Sequence, residues 1–143
     1  MLRNSLTGGL ALAATLALGA CGAAGAQTAA SPALCQQLIR ANYPPGGADQ
    51  TITVNFLSFQ IGGPQRFEAV YANDAGGRGH TVNAWPVHAR YTVLTHFADP
   101  YADDTLRTYD AQYMCFQLPA HGWLVEMISR APGGETAQYI HKH

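Results

Sequence analysis

His88, Arg90 and Thr92 recur at every second position, between the apolar residues Val87, Ala89, Tyr91 and Val93; Asp110 and Gln112 repeat that spacing further along. Side chains two apart on a strand leave the same face, so these five can share one polar surface if the two segments pair. A hairpin turning at Asp99–Asp104 would set Arg90 across from the residues near Asp110–Gln112. The chemistry such a cup offers is proton exchange at His88, oriented by Asp110, with Arg90 holding an anion. The plain alternative is a solvated sheet face, on which an Arg–Asp cross-strand pair contributes under about 1 kcal/mol. His88, Arg90 and Asp110 are therefore the candidate ligand-binding residues, and no residue is assigned as catalytic.

The other reactive types form no comparable group. His88 and His96 share a strand face, but eight residues at about 3.3 Å each hold them roughly 26 Å apart, too far to share one ion. His80 falls in a loop and His121 in a turn, while His141-Lys142-His143 belongs to a frayed terminal tail. Asp99, Asp103 and Asp104 lack the spacing, glycine and closing glutamate of a calcium loop, and read as solvated turn carboxylates. No metal site is expected. The chain contains no P-loop, G-x-G-x-x-G, H-E-x-x-H, G-x-S-x-G or C-x-x-C pattern, so no cofactor is expected either. Tyr91, Tyr101, Tyr109, Tyr113 and Trp123 suit either a binding platform or cross-strand packing, and packing is the commoner use.

Cysteine parity directs attention to the amino end. Three cysteines, Cys21, Cys35 and Cys115, leave one without a partner. Arg3 precedes an uncharged, mostly apolar run from Leu6 to Leu18, about thirteen residues, whereas a bilayer span needs about twenty. That layout is an export signal, and it closes on Leu18-Gly19-Ala20-Cys21. These four residues resemble the lipobox of bacterial lipoproteins. The resemblance implies cleavage before Cys21, a lipid on its sulfur and a membrane anchor through that lipid. Gly22 in the next position resembles the pattern sent to the outer membrane, which implies its periplasmic face. The alternative is an ordinary cut after Ala24-Gly25-Ala26, which would discard Cys21 and leave a soluble periplasmic or secreted protein. On either route Cys35 and Cys115 remain, and an oxidising compartment pairs them. Their loop of about eighty residues would stabilise the fold by up to roughly 4–5 kcal/mol in the chain-entropy account.

The division expected is a signal peptide at 1–20, a flexible small-residue tether at 21–30 and one domain at 31–143. Of 143 residues, 48 % are apolar, and the net charge of −1 argues against a nucleic-acid partner. Ser31-Pro32 reads as a helix start, with Leu34, Cys35, Leu38 and Ile39 on one face and Tyr43-Pro44 as the stop. Strands follow at Thr51–Gln60 (its alternation slipping near Leu57, by a bulge or by burial on both sides), at Arg66–Tyr71, and at Val82–Phe97 with Pro86 marking a bulge or an edge. Leu106–Leu118 and Trp123–Ile128 complete the set, with Ser129–His143 fading into a polar tail. This order predicts an α+β domain, one N-terminal helix packed on a curved antiparallel sheet of about four strands. It resembles cystatin-like and NTF2-like domains as an order of elements. A small β-barrel or sandwich with a helical cap is the alternative. The function expected is non-enzymatic binding or protein interaction at the cell envelope, with an envelope protein as partner; a small enzyme using the His/Arg/Asp face is the alternative.

Overall fold

The computed structural model describes residues 29–70 and 79–142. The leader, Cys21 and most of the tether lie outside the described residues, and so does most of the Asn73–Gly79 turn. Helix α1, Pro32–Ala41, begins where the Ser31 hydroxyl accepts a hydrogen bond from the Leu34 N–H at 3.1 Å, and Pro32 occupies the position that needs no donor. Ala30, just ahead of that cap, is already buried against the core.

Five antiparallel strands follow: β1 Gln50–Ile61, β2 Gln65–Val70, β3 Gly79–Phe97, β4 Asp104–Leu118 and β5 Gly122–Ile140. The sheet order is β1-β3-β4-β5, and β2 pairs with the first part of β3 while β1 pairs with the rest. β1 and β2 thus form one interrupted edge along a single long neighbour. The interruption sits opposite Pro86. N–H and C=O of one strand residue point to the same neighbour, so the donor that Pro86 lacks faces the gap at 62–64. There Gly62 donates its N–H to the Pro86 carbonyl at 2.8 Å, and a side chain at 62 would stand 2.9 Å from the Pro86 ring.

The expected sheet of about four strands is thus five, and the fold class is α+β. The barrel alternative fails, because the sheet is open, and no second sheet exists among the described residues to make a sandwich. The largest departure is at the carboxyl end. β5 does not fade after Ile128 but pairs with β4 as far as Ile140. Two irregularities hide it from a period-two reading: Ile128 is extra between the Tyr113 and Gln112 rungs, and the four residues 131–134 stand opposite Asp110 alone, three more than a regular ladder holds. The slip in β1 is likewise a bulge, since Phe56 pairs with Tyr91 and Ser58 with Arg90, leaving Leu57 out at 53 % exposure. His80, expected in a loop, lies within β3 opposite Ala69.

The helix covers one face of the sheet, here the inner face. Cys35 and Ile39 are fully buried there against Val87, Ala89, Tyr91, Ala111 and Tyr113, with Ile52, Val54, Phe56 and Phe59 closing the flank. A disulfide joins Cys35 to Cys115 with their Cα atoms 6.0 Å apart, as expected from the cysteine count. A smaller apolar cluster of Ala69, Ala84, Phe116 and Leu118 occupies the outer face at the β2 end. The rest of the outer face is mixed, with polar rows around His88, Arg90 and Thr92 between the apolar rungs Pro86–Met114 and Leu94–Leu106.

Candidate functional site

Register builds the outer face row by row. Arg90 pairs with Asp110, within the stretch the hairpin reading anticipated, and beside it His88 pairs with Gln112 and Thr92 with Thr108. β1 extends these rows with Ser58, Gln60 and Asn55, and β5 adds Ser129 and Thr136. The structure brings His88, Arg90 and Asp110 together on this face. The disulfide cysteines lie on the opposite, inner face, and Cys21 lies outside the described residues.

Asp110 does not bond to the arginine directly across from it. It takes His88 on the diagonal, with Nε2 2.6 Å from Asp110 Oδ1. The pair is exposed, at 48 % for the histidine side chain and 33 % for the aspartate. The Arg90 guanidinium has no hydrogen-bond or ion-pair partner among the described residues. The expected Arg–Asp cross-strand pair is thus replaced by a His–Asp pair beside an unengaged arginine.

Two hollows flank this pair. One, of about 360 Å³, is floored by Pro86, His88, Gln112 and Met114 and bordered by Gln60 and the bulged Ile128. The other, of about 240 Å³, lies between Arg90, Thr108, Asp110 and Thr136 and the 131–134 bulge. Both owe their far wall to the bulges of β5. Gly134 lets the second bulge come this close, because a Cβ there would stand 2.6 Å from the carbonyl oxygens of Asp110 and Ala131. Thr136 and Ile128 escaped the sequence reading because the bulges of β5 break the alternation that would have placed them, whereas Thr108 continues the regular spacing of Asp110 and Gln112 and could have been found from it. The run Ala131-Pro132-Gly133-Gly134 was the available signal, since such residues inside a strand mark a bulge.

The tyrosines divide by face. Tyr91, Tyr109 and Tyr113 are core residues, whereas Tyr101 stands 88 % exposed in the Asp99–Asp104 turn. The Tyr43 and Tyr91 hydroxyls are 2.8 Å apart, and Tyr91 hydrogen-bonds onward to Tyr113, forming a chain of three phenols under the helix. Burial pushes all three up, Tyr113 to about 12, so the phenols stay protonated. They serve the core rather than a platform. Trp123 packs against Trp85 on the same side, with ring centroids 5.7 Å apart.

The turn carboxylates and the terminal residues were expected in solvent, yet they bind one another. Asp104 receives His96 Nδ1 at 2.7 Å, Lys142 Nζ at 2.9 Å and the Phe97 N–H at 3.1 Å. Desolvation alone would raise its carboxyl, but those three donors outweigh it and hold Asp104 down at about 2. His141 sits 2.8 Å from Asp103. Among the described residues no three His, Cys, Asp or Glu side chains converge as a metal site would require. The chain matches no family model, and no curated protein or solved structure is significantly similar to it.

Proposed function

We propose that this chain is an exported cell-envelope protein that works by binding, with the outer sheet face as its working surface. In this reading Cys21 carries a lipid that holds the domain at the periplasmic face of an outer membrane, and cutting after Ala26 instead would release it. The lipobox-like Leu18-Gly19-Ala20-Cys21 supports the address. A helix followed by an open antiparallel sheet supports a cystatin-like or NTF2-like kinship, folds in which the sheet presents a surface. No helix among the described residues is long and apolar enough to cross a membrane.

The observation that carries the binding reading is the division of labour at the centre of the outer face. Asp110 is committed to His88 and Arg90 has no partner among the described residues, on a solvent-exposed surface between two hollows. A photo-crosslinking residue placed at Gln112, in cells producing the protein, should yield a discrete adduct, while one at Gln37 on the exposed side of α1 should not. Adducts from Gln37 alone would overturn the assignment of the face. Intact mass tests the address: acyl mass on a chain starting at Cys21 is expected, and a chain starting at Gln27 would refute the anchor.

The 2.6 Å His88–Asp110 contact favours a second reading, a small enzyme using this pair for proton transfer. Hydrolysis of an activated ester that vanishes in His88→Ala would favour it over binding alone.

A further inference from the structure

We infer that the hollow beside Arg90 binds a small zwitterion, a free α-amino acid with a short side chain. The inference rests on the outer face being the working surface, and it names the ligand class of one part of that face.

The argument starts from two opposite charges that face each other without meeting. Arg90 and Asp110 are direct partners on neighbouring strands. Such rungs carry side chains within reach of each other, and an arginine beside an aspartate normally closes a bidentate pair. Here Asp110 Oδ1 is held by His88 instead, and neither Asp110 Oδ2 nor the guanidinium has a partner among the described residues. Both groups line the same hollow of about 240 Å³, which is smaller than the roughly 300–1,000 Å³ of sites for drug-sized ligands.

A simple anion fits this poorly, because the Asp110 carboxylate would repel it. A simple cation meets the same objection from Arg90. A ligand carrying both charges satisfies both walls at once, with its carboxylate on the Arg90 fork and its ammonium on Asp110 Oδ2. The remaining lining suits the rest of such a molecule. Thr108 and Thr136 are paired across β4 and β5 and bring hydroxyls that donate or accept. The hollow of about 240 Å³, walled on its far side by the 131–134 bulge, accommodates an amino acid with a short side chain. His88 keeps Asp110 from collapsing onto Arg90, so it acts as a positioning residue for the site.

The test is titration of the full oxidised chain, followed by amide resonances, with glycine, L-alanine, acetate and methylammonium. Glycine and alanine should give saturable shifts confined to the neighbourhood of Arg90, Thr108, Asp110 and residues 131–136. Acetate and methylammonium should bind at least about tenfold more weakly, a loss of about 1.4 kcal/mol each. Arg90→Gln, at an exposed position, and Asp110→Asn, at a half-buried one, should each abolish the amino-acid shifts while leaving distant resonances in place. Thr136→Val should weaken binding without abolishing it. Acetate binding as tightly as glycine would overturn the inference, as would shifts located elsewhere or absent for every probe. If no probe binds while Gln112 still crosslinks a partner, the amino-acid site is refuted and the binding face stands. If no probe binds and Gln112 yields no adduct either, the face itself is refuted.

Discussion

Tyr91 is the middle hydroxyl of the buried phenol chain, so Tyr91→Phe leaves the Tyr43 and Tyr113 hydroxyls without their shared partner. Each buried group stripped of a hydrogen bond costs about 1–3 kcal/mol, against about 1 kcal/mol for a bond lost without a stranded partner. A urea unfolding midpoint should therefore fall clearly for Tyr91→Phe and less for Tyr43→Phe, which removes one end. Asp104 supplies a different signature. Its carboxyl titrates near 2 in the folded chain, below the ordinary 3.8, so the folded state favours the charged form. That stability is fully present above about pH 4 and is lost as the pH falls through 2. Thermal midpoints followed across this window should drop less steeply in Asp104→Asn than in the parent chain. The variant should also cost Lys142 its ion pair, while the Phe97 and Asp99 carbonyls still accept from its ammonium.

Helix α1 depends on what it docks against, since three turns of helix are not stable alone. Replacing Cys35 and Cys115 together by serine removes the constraint on a loop spanning 80 positions, and stability should fall by up to about 4–5 kcal/mol. Hydrogen exchange should then show the α1 amides opening ahead of β3 and β4. The 131–134 bulge depends on Gly134 in a similar way. Gly134→Ala should cost about 1–3 kcal/mol and shift the His88 and Asp110 resonances, because the bulge must withdraw from the Asp110 carbonyl. These elements differ in how openly the chain announces them. Ser31-Pro32 and the strict alternation from Val87 to Val93 obey one local rule each, and the structure follows both. The disulfide was legible through parity and compartment rather than through geometry. The second half of β5 was not, because Ile128 and residues 131–134 each shift the phase and local periodicity sees only disorder. Nor could register alone show that Asp110 chooses the diagonal His88 over the facing Arg90. That choice belongs to side-chain orientation on a finished sheet.

At the scale of the whole molecule, the disulfide sets the route by which tension crosses the fold. Stretch the chain by its two ends, and the pull enters at Cys35, jumps through sulfur to Cys115 and leaves along β5. The covalent path bypasses everything between those positions, including β1, β2, β3 and β4 as far as Met114. Single-molecule extension of the oxidised chain should therefore release only the outer segments, and the full contour should appear after reduction. A pull on the two ends would therefore reach the Arg90 hollow from one side only, through its β5 wall at 131–136, while Arg90 and Asp110 stay inside the shielded loop.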